Sequence, residues 1–187
     1  MSTATTATSG TPVRTAWKID PAHSQIEFGV RHMMFTTVKG RFSGVDGTVS
    51  IDEADPSGAE VDVRIDASTV DTRESQRDAH LRSADFFDVE KFPHITFTGK
   101  RIVDRHGSEF KLAGDLTMRG VTREVVLDVV EEGRGKDPWG GERLGFTATT
   151  KVKRSDFGLN WNQALEAGGV LVGDDIKINL DLQLVKG

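Results

Sequence analysis

The sequence predicts an all-β chain of about eight antiparallel, hairpin-connected strands, closed into a barrel or paired as a sandwich, with one short helical insert. Three observations predict it. Long stretches alternate apolar and polar residues, as half-buried strands do. Turn residues such as Asp55-Pro56-Ser57-Gly58 and His106-Gly107 separate those stretches at hairpin spacing. One segment alone, residues 71–88, opposes strand formation. Closure is favoured over a sandwich because it removes exposed strand edges.

The elements follow in order. Residues 1–16 are rich in Thr, Ala and Ser, with Gly10 and Pro12, and are expected to form a disordered tail; residues 17–187 form the single domain. Trp17-Lys18-Ile19 opens the ordered part, and Asp20-Pro21 turns it into a strand whose dry face is Ile26, Phe28 and Val30. His32-Met33-Met34-Phe35 is expected to be a helical turn. Residues 38–51 resume as a strand bent by glycines. Residues 60–66 alternate without a fault, with Val61, Val63 and Ile65 on one face and charges on the other.

In residues 71–88, Asp71 followed by Glu74 suggests a capping box, and the run to Arg82 holds no Pro or Gly, so a short helix is expected. It carries few apolar residues and should lie on a surface as a lid, pinned by Phe86, Phe87 and Phe92. The strands 94–99 and 109–118 form a hairpin. Residues 123–132 place Val125, Leu127 and Val129 on one face and Val126 and Val130 on the other, before a glycine-rich loop over 133–141 containing Trp139. Residues 144–153 and 176–184 complete the set.

The sign of the alternation bears on function. Charged faces must meet water, so the apolar faces look inward, the reverse of an outer-membrane barrel. A strand of about twelve residues rises roughly 40 Å, and a ring of about eight strands is either filled by its side chains or holds one slender ligand. Small inward residues at Gly114, Ala148 and Thr150 favour a void.

Composition removes several function classes. Among 187 residues, 29 acidic and 24 basic side chains are well mixed, the net charge is -5 and there is no tyrosine, so neither a basic stripe nor a rich stacking platform is offered to a nucleic acid. The absence of cysteine excludes disulfides, thiolate metal sites and cysteine nucleophiles. No window approaches the roughly 20 apolar residues of a membrane helix and no secretory leader is evident, so a cytoplasmic location is expected. The five histidines, His23, His32, His80, His94 and His106, lack metal-motif spacing; no metal, no cofactor and no catalytic residue are expected.

An ordered set of motifs spans the chain from Trp17 to Val185: Asp20-Pro21-Ala22-His23-Ser24 with Phe28 and His32; Gly40-Arg41-Phe42; Arg77-Asp78 with His80-Leu81-Arg82-Ser83 and Asp85-Phe86-Phe87-Asp88; Pro93 and Phe97; Gly114-Asp115-Leu116-Thr117 with Gly120; and Arg154-Ser155-Asp156-Phe157-Gly158. Together they resemble the YceI-like family of polyisoprenoid-binding or lipid-binding domains. The resemblance implies an elongated, lipocalin-like antiparallel β-barrel that holds a polyprenyl chain or similar long-chain amphiphile in its lumen, often as a homodimer.

The candidate lumen residues are Ile26, Phe28 and Val30, then Met33, Met34 and Phe42, then Phe86, Phe97, Leu116, Phe146 and Phe157, each of which ordinary core packing would also explain. The adjacent methionines suit a mouth that admits a flexible chain. Arg77, His80 and Arg82 are candidates to bind a polar head, against a plain hydrogen-bond network tying down the helix. The leading expectation is non-enzymatic lipid binding. The alternatives are a headgroup-modifying enzyme using Asp78 and His80, with His94 as a possible third group, and a filled barrel acting as an interaction module or a dimer through Val126 and Val130. Arg154-Ser155-Asp156 is expected to be a strand-ending turn with an internal ion pair.

Overall fold

A computed structural model describes Thr11 and residues 13–187. Eleven strand segments form one antiparallel sheet: β1 (Arg14–Ile19), β2 (Gln25–His32), β3 (Thr36–Phe42), β4 (Val45–Asp52), β5 (Glu60–Asp66), β6 (Val70–Asp71), β7 (His94–His106), β8 (Glu109–Met118), β9 (Val121–Lys136), β10 (Glu142–Lys153) and β11 (Val172–Lys186). They amount to eight long strands, because β1 with β2, β3 with β4, and β5 with β6 are each one strand interrupted by a bend. The ring closes where β11 pairs with β1 and β2 on one side and β10 on the other. The result is an up-and-down barrel with, among the described residues, one α-helix, α1 (Ser75–Arg82).

The bend between β1 and β2 has a local cause. Asp20 caps the 3-10 turn Pro21–His23 by accepting from the Ala22 N–H. Ser24 then repairs the ladder, its Oγ accepting from the Gln183 N–H at 3.1 Å, while Asp20 N–H donates to the Gln183 carbonyl at 2.8 Å. This lets β11 pass from β2 to β1 with its backbone groups paired.

Arg143 and His23 hydrogen-bond the Asp20 carboxylate at 2.7 and 2.8 Å and hold its pKa down, from 3.8 to about 2. A depressed carboxylate pKa stabilises the fold above the unfolded value and stops doing so as pH falls through the folded one. Asp20→Asn should therefore lower stability by about 2 kcal/mol at neutral pH. In urea titrations run at successive pH values, that deficit should shrink as pH drops from 3.8 toward about 2. A deficit independent of pH would remove the carboxylate's charge from the account.

At one end, β7 begins opposite Asp66, so the ring beyond that point is not closed by strands. The helix and the segment 83–93 sit there. Arg82 ties α1 to the β5–β6 bend through the Ser68 and Val70 carbonyls, at 2.9 and 3.3 Å. Arg119, from the β8–β9 turn, donates to the Ala84 and Phe86 carbonyls. The helix is capped by Glu74, which accepts from the Gln76 and Arg77 N–H groups; Asp71 caps the preceding turn instead, so the expected capping box starts three residues late.

Other expectations change. Strand β1 starts at Arg14, so residues 14–16 belong to the barrel rather than to a tail; residues 1–10 and 12 lie outside the described residues. The segment 32–35 is a tight hairpin turn, not a helical one, because residues 31–32 and 36–37 pair directly across it. Strand β9 runs through Gly133 and Gly135 to Lys136, carried by its ladder to β10. No helix among the described residues is long and apolar enough to cross a membrane.

Candidate functional site

The inward faces do not fill the barrel. A cavity of about 890 Å³ runs its length, within the range of known ligand sites, roughly 300–1,000 Å³. Its wall is built from the alternate residues of successive strands: Ile26, Phe28 and Val30 of β2, Val61, Val63 and Ile65 of β5, and Phe146, Ala148 and Thr150 of β10 among them. Each is there because side chains of a strand point to opposite faces in turn, and the period-2 sequence assigns the apolar set to one face.

Of the eleven candidate lumen residues, eight border this cavity: Ile26, Phe28, Val30, Phe42, Phe86, Phe97, Leu116 and Phe146. Three do not. Met33 and Met34 stand at the tip of the β2–β3 hairpin, exposed to solvent. Phe157 is buried in the 3-10 turn Arg154–Phe157 and borders a separate shallow hollow with Arg123, Val126 and Lys153. Ala148 and Thr150 contribute to the void as expected. Gly114 does not, because the Phe97 ring occupies the place its side chain would take. Gly40 likewise seats the ring of Phe28.

The two ends of the cavity differ in charge. At the end carrying the chain termini, Glu53 and Glu131 face Arg134 and Arg105, at 3.2 and 3.8 Å, so charges there are paired. At the end closed by α1, the lining contains Arg31, His32, Gln76, Arg77, His80 and Arg154 and no carboxylate.

Each polar candidate now has a definite setting. Arg77 donates from Nε and Nη2 to the Thr72 hydroxyl and carbonyl, both at 2.7 Å, which fixes the guanidinium at the cavity wall with Nη1 unengaged among the described residues. The His80 ring pairs through Nε2 with Asp85 at 2.8 Å and stands edge-on to Phe86 and Trp161, with centroids 5.0 and 4.7 Å away. Arg82 does not reach the cavity, its fork being committed to backbone carbonyls. Asp78 is buried but turned away, accepting from the Thr72 N–H and hydroxyl, and shares no hydrogen bond with His80. His94 is exposed where β7 starts, paired in register with Asp66 and outside the cavity lining. The three groups of the acid–base alternative are thus dispersed. Among the described residues no cluster of three His, Cys, Asp or Glu side chains could hold a metal ion.

Arg154 corrects the expectation of an internal ion pair. It is buried, and its donors go to four neutral carbonyls: Leu159 and Trp161 from Nη1, Gly173 from Nε, and Val172 from Nη2, at 2.7 to 3.2 Å. Burial pushes its pKa down. The nearby Asp174 charge offsets part of this, but no carboxylate among the described residues hydrogen-bonds the guanidinium and none lines the cavity at this end, so Arg154 adds positive charge to the α1 end. Val126, the centre of the expected dimer patch, is exposed on the outer wall.

Sequence reasoning missed Arg154, Trp161, Gln76 and Arg31 as parts of the site. A signal existed for the first: Leu144, Phe146, Ala148, Thr150, Val152 and Arg154 share one parity, so the inward row of β10 ends on the arginine. Trp161 comes from a long loop and carried none.

The geometry has relatives. The YceI-like domain profile matches residues 17–184. Protein YceI of Salmonella newport (strain SL254) is 42% identical over 154 residues, spanning 81% of this chain and 80% of that protein. The crystal structure of a Campylobacter jejuni YCEI protein matches with a TM-score of 0.68 at 31% identity, covering 84% of this chain and 90% of that one. A polyisoprenoid binding domain from Saccharophagus degradans, implicated in plant cell wall breakdown, matches with a TM-score of 0.67 at 16% identity, covering 92% and 99%; at that identity the likeness is one of fold. With the profile spanning most of its length and a relative at 42% identity, the chain belongs to the YceI-like family.

Proposed function

We propose that the protein binds a polyisoprenoid or similar long-chain lipid without chemical change, the chain lying in the barrel and the polar head at the end bounded by Arg77, His80 and Arg154. The observation that carries this is the bore itself, about 890 Å³, walled mainly by aliphatic and aromatic side chains, with the charged ones at its two ends. A slender apolar chain is the cargo such a wall favours, because burial removes its surface from water. The Saccharophagus degradans domain of the same fold, described as polyisoprenoid-binding, supports the same class of ligand.

The charge asymmetry orients the cargo. An anionic head is favoured where three guanidinium groups border the cavity with no carboxylate among its lining, and disfavoured where Glu53 and Glu131 stand. Binding rather than turnover fits the side chains: the buried Asp78 is spent on Thr72, and His80 has a carboxylate partner but no hydrogen-bonded nucleophile.

Mass spectrometry of an organic extract of the purified protein should find a long-chain lipid. In titrations of a homologous series, affinity should rise about fourfold per added CH₂ until the bore is full, at about 0.8 kcal/mol each. A reproducibly empty protein that takes up neither polyprenyl nor fatty ligands would end this reading.

A further inference from the structure

The hairpin joining β2 to β3 turns on Met33 and Met34, and both adopt positive φ, 50° and 71°. Two left-handed residues in a row are the type I′ geometry, which favours Asn-Gly or Gly-Gly because a side chain beyond Cβ crowds the backbone there. The turn is closed by the Phe35 N–H donating to the His32 carbonyl at 3.3 Å. Methionines at both positions therefore strain the backbone, and neither is buried in return. Met34 is 59% exposed, Phe35 68%, Val170 40% and Met33 38%. Strain kept at an exposed apolar tip points to a task outside the fold.

The tip is continuous with the cavity rim. The Met34 side chain lies over Gly169, and the Met33 N–H donates to the Leu171 carbonyl at 2.8 Å, so the hairpin and the β10–β11 loop form one patch. Its sequence neighbours Arg31, His32, Leu171 and Val172 line the cavity. Arg31 donates from Nη2 to the Met34 carbonyl at 3.3 Å, which holds a cation at the base of the apolar tip.

We propose that this tip docks the protein on a phospholipid bilayer, with Met33, Met34, Phe35 and Val170 entering the boundary between headgroups and acyl chains while Arg31 meets the phosphates. Apolar side chains ahead of a cation are the pattern of interfacial binding. Docking in this pose brings the cavity rim to the membrane that supplies the lipid, and so rests on the lipid-binding reading above. A second copy of the chain is a poorer occupant, because a protruding tip of four apolar side chains presents far less than the roughly 800 Å² per partner of a stable interface.

The test is co-sedimentation with vesicles of phosphatidylcholine and phosphatidylglycerol, comparing the wild-type chain with Met33→Asn/Met34→Gly. That variant supplies the residues a type I′ turn prefers, so its thermal midpoint should equal or exceed the wild type's. Its vesicle partitioning should fall about tenfold or more, since two buried methionines are lost. Uptake of a fluorescent long-chain amphiphile delivered without vesicles should be unchanged, which separates docking from lumen binding. The proposal is overturned if the wild-type chain takes up the amphiphile yet ignores vesicles, if the variant partitions like the wild type, or if binding is lost on Trp139→Ser, at the opposite end, instead. It is also overturned if light scattering shows a dimer that the variant dissociates.

Discussion

Ala148→Trp is expected to abolish loading of a long-chain ligand while leaving the barrel folded. Ala148 lies on the inward row of β10, in register with Leu180 of β11 and Val129 of β9, between Phe146 and Thr150 on the cavity wall. An indole there enters space the protein leaves open, so the overpacking that usually accompanies small-to-large substitution in a filled core should be slight. The change in stability should stay within about 1–2 kcal/mol. For the ligand the effect is larger, because the bore is divided part-way along. At about 0.8 kcal/mol per CH₂, excluding four methylenes costs about 3 kcal/mol, or roughly 200-fold in affinity. Calorimetric titration of wild type and variant against one long and one short ligand reads this directly: the long ligand should lose far more than the short one. Equal affinity of both proteins for the long ligand would show that the chain does not pass Ala148.

Arg154→Met is expected to destabilise the protein by about 3–5 kcal/mol, the scale of breaking a buried charged network. The thioether keeps much of the volume but leaves four carbonyl oxygens, those of Leu159, Trp161, Val172 and Gly173, without the donor that ties the β10–β11 loop to the strand ends. Arg154→Lys should recover only part of this, because a point charge on a flexible stem does not span carbonyls arranged around a planar fork. Urea denaturation should show a lower midpoint with an unchanged slope. A deficit under 1 kcal/mol for the methionine variant would mean that the carbonyls find other partners. Because the loop carries Trp161, which stacks edge-on with His80, the variant should also weaken the headgroup end of the cavity.

These two residues mark what was legible and what was not. The inward row of β10 is plain in the sequence, and so are those of β5 and β11; their apolar residues at every second position leave one possible assignment of faces. Continuing the inward rows of β2, β4, β9 and β10 outward places His32, Glu53, Glu131 and Arg154 inward too, at the ends of the bore. That step is easy to miss because a charged residue ordinarily signals the wet face. The helix was legible from its lack of strand formers, but its cap was not, since Asp71 is by type the better N-cap and the use of Glu74 depends on where β6 ends. Met33 and Met34 misled because their composition suggests burial, whereas a tight three-residue hairpin loop leaves them nowhere to go but outward.

The sequence by itself determined which side chains face in and which face out, because side-chain alternation along a strand is a local property that needs no partner. Family membership was likewise carried by motifs strung along the chain. Only the tertiary structure decided that the interior stays open, that Phe97 takes the space beside Gly114 while Ala148 borders the bore, and that the arginines of the lining without a carboxylate partner among the described residues gather at one end. Those outcomes depend on how β11 divides its pairing between β1 and β2 and on how far each strand is staggered against the next. Stagger brings together residues distant in sequence, and periodicity within one strand holds no information about it.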